Sequence, residues 1–310
     1  MENELSRQYP LGAAVNRSDA LIGTLCGLAV IAIFAGFTLA SRVGFSTALT
    51  PMDIVMVRFG VGGAILLPVF LGHRLAGLSF ARASALAFTG GLGFALIAYT
   101  GLSLAPASHG AVIMHGSLPL FTYLILRFLA GERADRRRRT GLVLIAAGVG
   151  AMAYDSLRGA SLRQLIGDGL LLLGALCWSS YGVLAQRWQV RPTVAAAIVA
   201  VFSMLAYLPA YLLWGGSGLL EAPLPDVLLQ VLVQGVIVGG ASIFVYSQAV
   251  NSLGAARTAL FTAAVPCVTT LAAIPLLSEW PSAFVLAGVA VVSIGLVASI
   301  WNRPAGGRAN

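Results

Sequence analysis

The residues of this sequence that could do chemistry are scattered through apolar runs rather than gathered in one motif. His115 lies four positions, one helical turn, before Pro119, so the two share a helix face. Trp178 opens the run Trp178-Ser179-Ser180-Tyr181, which sets a broad π-face beside hydroxyls. Ser242, Gln248 and Asn251 sit in a second apolar run, and Arg58 brings a full charge into a third. Polar groups in hydrocarbon must face protein or a wet path, which makes them functional candidates. Together they suit a small solute with an apolar or aromatic body and polar ends: rings for the body, hydroxyl, amide, imidazole and guanidinium groups for the ends.

Bond-breaking chemistry is poorly provided for. All 19 basic residues are arginine, which removes the lysine of a Walker-type phosphate loop and any Schiff-base lysine. Cys26, Cys177 and Cys267 stand singly in apolar segments, without metal or redox spacing, and read as small core residues. An intramembrane enzyme with Ser242 as nucleophile and His115 as base would need a third, orienting group, and no motif supplies one. The expectation is a non-enzyme with no cofactor and no metal.

The elements that must position these residues are membrane spans. The 310 residues are 58% hydrophobic and 10% charged, with mean hydropathy +0.90; soluble domains carry about 25% charged residues. Apolar segments fall at 20–40, 51–72, 81–102, 107–129 and 140–155, then at 166–187, 193–214, 226–250, 256–277 and 282–301. The first follows a tail of mixed charge, is long enough to span a bilayer and recurs later in the chain, so it reads as a span and not as a cleaved signal.

The ten spans are five written twice. A shift of 147 sets Tyr99 on Tyr246, Pro119 on Pro266, Glu132 on Glu279, Gly141 on Gly288 and Gly148 on Gly295. A shift of 144 sets Phe34 on Trp178 and Phe37 on Tyr181, and one of 141 sets Pro51 on Pro192 and Pro68 on Pro209. The halves are expected at 1–157 and 158–310. With a cytoplasmic amino terminus, fifteen arginines fall on cytoplasmic segments, among them the loop arginines Arg136 to Arg139, and only Arg42, Arg158 and Arg163 fall outside. That distribution obeys the positive-inside rule and puts both termini in the cytoplasm. It also explains the formal charge of +8 without nucleic acid as a partner. An odd number of spans per half turns the second half over, so the fold class is all-α: ten transmembrane helices as two inverted five-helix repeats.

These segments resemble the drug/metabolite transporter superfamily in its ten-helix form, built from two EamA-type domains. The resemblance rests on the run Leu118 to Gly150 with its second copy from Val265, on Pro51 followed by Arg58, and on Trp178-Ser179-Ser180-Tyr181. Two departures are Phe34, where the pattern more often has tryptophan, and Val199, where the first half has Arg58. The resemblance implies a bacterial inner-membrane carrier, a monomer in the bilayer, that exports or exchanges small organic solutes. Aromatic or hydrophobic amino acids are the first candidates, and another metabolite or a drug-like solute moved with protons is the alternative.

The residues then take provisional roles. Trp178, Tyr181, His115, Ser242, Gln248 and Arg58 are candidates for substrate binding, although Arg58 has a second reading in which it snorkels outward or pairs with Asp53. Pro119 and Pro266 each remove a backbone donor halfway along a span, so each is either a gating kink or a kink absorbed by packing. Tyr99 and Tyr246 are either symmetry-related gates on opposite sides or anchors in the aromatic belt. All acids lie in tails, loops or span ends, which predicts exchange or facilitated diffusion with little ion coupling.

Overall fold

The computed structural model describes residues 17–131, 133–159, 161–214, 218–253 and 255–300, and no strand occurs among them. Ten helices carry the chain: α1 Arg17–Phe45, α2 Pro51–His73, α3 Phe80–Leu104, α4 Ala107–Leu129, α5 Arg136–Arg158, α6 Leu162–Arg187, α7 Pro192–Trp214, α8 Leu224–Leu253, α9 Arg257–Leu277 and α10 Ala283–Ile300. Among the described residues, nine are long and apolar enough to cross a bilayer, and α10 is a shorter apolar helix.

Local chemistry explains where these helices begin and end. Thr50 and Asp53 form a reciprocal capping box at the start of α2, with Pro51 in the first turn. Asp135 accepts from the Arg138 amide at 2.7 Å and starts α5, so Arg136 to Arg139 form the first turn of a helix and not the loop expected from sequence. At the other ends, α4 stops at Gly131 (φ 68°) and α9 at Ser278 (φ 55°), both left-handed. Those two caps are repeat mates, each one residue ahead of the repeated acid. Glu279 of that pair is described below, whereas Glu132, like Arg7, Arg303 and Arg308 of the charge argument, lies outside the described residues.

Four helices are interrupted along their length. In α3 the break is Gly91, where the Leu92 amide leaves the helix ladder and donates to Ser203 Oγ of α7 at 3.0 Å. In α4 a π-helical stretch, Gly110–His115, precedes Pro119, and in α8 a longer one covers Val231–Ala241. In α9 the helix parts at Ala264, just before Pro266. Each proline thus follows an irregular stretch of backbone, a widened turn before Pro119 and a break before Pro266.

The halves interlock by exchange. α1 packs on α8 and α9 of the other half, and α6 answers by packing on α3 and α4; α2 packs on α8, and α7 on α3. The remaining main contacts, α2 with α7 and α5 with α10, join repeat mates to each other. The α5–α10 seam shows the symmetry at atomic scale. A Cβ on Gly141 would lie 2.6 Å from the Gly295 carbonyl oxygen, and one on Gly148 would lie 2.9 Å from that of Gly288. Exchanging the halves turns the first contact into the second, as a twofold axis between antiparallel helices requires. Lipid gives helices no hydrophobic reason to associate, so backbone-to-backbone contact over glycine is what brings these two together.

One end of the bundle is tied by polar side chains. Glu279 bonds the Arg42 guanidinium at 2.7 Å and, through its other oxygen, the Ala107 amide at 2.7 Å. Asp168 takes His109 Nδ1 at 2.8 Å and Ser156 Oγ at 2.5 Å, and Gln164 donates to Ser156 at 3.0 Å. Asp53 accepts from Thr50 and from the Tyr211 hydroxyl. All of these lie at the end opposite the arginine-rich segments.

Candidate functional site

From near the tied end inward, aromatic and polar side chains from five helices come together around Arg58. His115 of α4 stacks on Phe34 of α1 (ring centroids 5.7 Å) and meets Phe37 edge-on (6.2 Å). Phe37 touches Tyr99 of α3 at 5.3 Å. A second set of ring contacts, joined to the first through Arg58, runs from Phe94 to Trp178 of α6 at 4.9 Å and from Trp178 to Tyr181 at 5.3 Å. Phe37, Phe94 and Tyr99 are buried, whereas Phe34, His115, Trp178 and Tyr181 keep some exposure.

Arg58 enters the middle of this line from α2, with 7% of its surface exposed. Its guanidinium carbon lies 5.5 Å from the Phe37 ring centroid, 5.7 Å from Phe59, 5.9 Å from Phe94 and 6.0 Å from Tyr99. Ring faces carry negative quadrupole density, so each such contact offsets part of the cost of burying the cation, about 0.5–2 kcal/mol apiece. Its Nη1 donates to the Tyr99 hydroxyl at 3.2 Å, which donates to Gln234 Oε1 at 2.8 Å. Gln234 Nε2 then donates to Ser41 Oγ at 2.9 Å and to the Phe37 carbonyl at 3.0 Å. The network therefore runs one way, from Arg58 outward to the backbone of α1, and it orients the guanidinium without neutralising it. Among the described residues no carboxylate lies within ion-pair distance of Arg58.

The pairing with Asp53 expected as one reading of Arg58 does not occur. Asp53 is turned toward Thr50 and Tyr211 at the capped start of α2, while Arg58, five residues on, points inward to Tyr99. Gln248 is exposed and bonds Ser252 Oγ one turn away at 3.1 Å. Ser242 spends its hydroxyl on the Val238 carbonyl at 2.7 Å, where the π-helical stretch of α8 ends.

The remaining candidates are arranged less symmetrically than the repeat. Tyr99 is fully buried and held by two hydrogen bonds, whereas its mate Tyr246 is half-buried in α8. Tyr181 lies over Gly90 beside the break in α3: a Cβ there would stand 2.5 Å from its ring. Ser179 donates to the Leu118 carbonyl at 3.1 Å, tying α6 to α4 just before Pro119. His115 Nδ1 is buried and has no hydrogen-bond partner among the described residues. So the fold brings together Arg58, Tyr99, His115, Trp178 and Tyr181, and leaves Gln248 and Tyr246 away from that line.

Sequence reasoning passed over Phe37, Phe94 and Gln234 as site residues. Phe37 was marked by its match to Tyr181 in the repeat, and Gln234 by being an amide in an apolar run, the same signal that pointed to Gln248. Phe94 carries no such mark.

The comparisons with known proteins agree with this architecture. The model of the EamA-like transporter family matches residues 21–154 and again 165–301, one match for α1–α5 and one for α6–α10. A relative from Bacillus subtilis (strain 168), described as uncharacterized transporter YyaM, is 23% identical over 270 residues, 79% of this chain and 85% of that protein. A crystal structure of a protein shares the fold with a TM-score of 0.62 at 21% identity, covering 89% of this chain and 96% of the other. With two family matches laid end to end over two interlocked helical halves, the chain belongs to the EamA-like transporter family and is a polytopic membrane transporter.

Proposed function

We propose that this transporter exports or exchanges small amphipathic metabolites that carry a carboxylate and an aromatic or hydrophobic body, aromatic and hydrophobic amino acids being the first class to test. The observation that carries the reading is Arg58: a buried guanidinium ringed by Phe37, Phe59, Phe94 and Tyr99, with no acid beside it among the described residues. A guanidinium in a desolvated setting binds a carboxylate through charge-assisted, bidentate hydrogen bonds. The partly exposed rings of Trp178, Tyr181 and His115 offer stacking surface for an apolar body within the same line.

Alternating access follows from the inverted repeat, with the interrupted helices α3, α4, α8 and α9 as the elements that bend around the site. Coupling to ions is weak or absent in this reading, since the membrane-end acids Asp53, Asp155, Asp168 and Glu279 are each engaged with partners at the tied end. The transporter works as a monomer in the cytoplasmic membrane with both termini inside.

Counterflow in proteoliposomes tests this reading. Vesicles preloaded with unlabelled aromatic solute should accumulate the labelled solute without a proton or sodium gradient, and Arg58→Gln should abolish accumulation. A strict need for a gradient would overturn the coupling, and full activity of Arg58→Gln would overturn the site. A proton-coupled carrier, the alternative reading, predicts the gradient requirement.

A further inference from the structure

We infer that the site selects its solute by net charge: it takes monoanionic aromatic acids, which have a carboxylate and no ammonium group, in preference to zwitterionic amino acids of the same shape. The inference rests on the reading of Arg58 as the carboxylate anchor and narrows the substrate class of that site.

The argument is a charge balance in a medium that tolerates no imbalance. Arg58 supplies one positive charge, and its bonded neighbours Tyr99 and Gln234 are neutral. A bound monoanion brings the site to zero. A bound zwitterion leaves it at plus one, with a second cation brought close to the first, and burial of uncompensated charge is what low-dielectric interiors penalise most.

An ammonium group would also need its own acceptors. The carboxylates that could serve are spoken for at the tied end: Asp53 by Thr50 and Tyr211, Asp168 by His109 and Ser156, Glu279 by Arg42 and the Ala107 amide. The ring faces of Phe37, Phe94 and Tyr99 could attract a cation, but they already face the Arg58 guanidinium. Gln234 accepts from Tyr99 through Oε1, and both of its donated bonds go to Ser41 and the Phe37 backbone. The buried acceptors left without a partner among the described residues, such as the Thr38 and Ser117 hydroxyls, Gln230 Oε1 and His115 Nδ1, are neutral and cancel no ammonium charge, so the one unpaired charge the line offers is that of Arg58, beside the stacking faces of His115 and Trp178. Those groups match a carboxylate on a short arm from an aromatic ring.

Three compounds on one phenylethyl frame separate the possibilities: phenylpropionate, phenylalanine and phenethylamine, with net charges of minus one, zero and plus one. Their affinities are measured on the full chain in detergent, by equilibrium binding of labelled phenylpropionate and its displacement by each unlabelled compound. Phenylpropionate is expected to bind about tenfold or more tighter than phenylalanine, the scale of a modest charge penalty, and phenethylamine is expected not to displace it. Equal or tighter binding of phenylalanine would overturn the charge selection. If phenylalanine wins and Arg58→Gln still abolishes its binding, the carboxylate-anchor reading survives without this inference. If none of the three binds the unaltered protein, both fall together.

Discussion

Glu279 and Arg42 meet at 2.7 Å at the arginine-poor end of the bundle, and the second Glu279 oxygen takes the amide at the start of α4. Arg42 also donates to the Leu102 carbonyl at 3.1 Å, so one ion pair gathers α1, α3, α4 and the turn after α9. A carboxylate on a helix amino terminus is favoured by the exposed amides and the helix dipole. The clamp ties these elements together in the conformation described, and on the proposed alternating-access reading it must break when this end opens.

Glu279→Gln should loosen the clamp by about 1 kcal/mol, since it removes the charge and keeps one acceptor. Thr38 lies one turn before Arg42, fully buried, with its methyl group near Gly110 at the foot of α4. In a background lacking the three cysteines, a Thr38→Cys probe should react several-fold faster with an impermeant thiol reagent once Glu279 is replaced. An unchanged labelling rate would show that the clamp does not hold this end shut.

Tyr99→Phe deletes the hydroxyl between Arg58 and Gln234 and leaves the ring contacts with Phe37 and Arg58 in place. A hydrogen bond to a charged group contributes about 1.5–3 kcal/mol, so solute KM should rise roughly tenfold or more as the guanidinium loses its orientation. Initial-rate transport at a series of solute concentrations measures this. An unaltered KM would make Tyr99 a packing residue only.

Trp178 and Gln248 should behave oppositely. Trp178→Ala removes the half-exposed face against Phe94 and should weaken solute binding by about 1 kcal/mol or more, whereas Gln248→Ala, at an exposed position, should leave binding within about twofold. Titration of solute binding to both variants gives the comparison, and equal losses would mean that the line of side chains has been misassigned.

The α5–α10 seam sets its own test. Gly148→Val drives a branched side chain into the Gly288 carbonyl, 2.9 Å from where its Cβ must sit, and should cost about 1–3 kcal/mol by overpacking. Gly150→Ala, two residues on, meets nothing within 4 Å and should be neutral or stabilising by up to about 1 kcal/mol through helix propensity. Thermal unfolding in detergent separates the two. A loss at Gly150 matching that at Gly148 would place the sensitivity in the helix itself and not in the seam.

Asp168→Asn should destabilise the far end by about 3 kcal/mol, because it strips a buried acid from His109 and Ser156 and leaves an imidazole facing an amide. Replacing His109 and Asp168 together with leucine should recover a large part of that loss, since the apolar pair leaves no buried charge and the Ser156 hydroxyl keeps the Met152 carbonyl as acceptor. Unfolding midpoints of the single and double variants decide; a double variant worse than the single would show that the pair is a net source of stability.

The all-α membrane class, the ten apolar segments and their duplication were legible in the residues themselves, although the last segment forms a helix shorter than a span among the described residues. Apolar runs of membrane length and arginines confined to alternate segments are statements about single segments in a bilayer, and they need no knowledge of what packs on what. The repeat mates Gly141 and Gly288, Gly148 and Gly295 were visible as matching positions, but the seam in which each glycine faces the other pair's member was not. The partner of Arg58 was a different matter. Asp53, five residues away on the same helix, was the near choice in sequence, yet local capping by Thr50 and a hydroxyl from α7 claim it. Tyr99 and Gln234, 41 and 176 residues from Arg58 along the chain, take its place because α3 and α8 both pack on α2. The same holds for Gln248 and Gln234, two amides in one apolar run with the same sequence signal, of which only Gln234 points inward. Which side of a membrane helix faces protein is settled by its neighbours, because lipid and an apolar protein interior look alike to a hydrophobic residue and leave no amphipathic stripe to read.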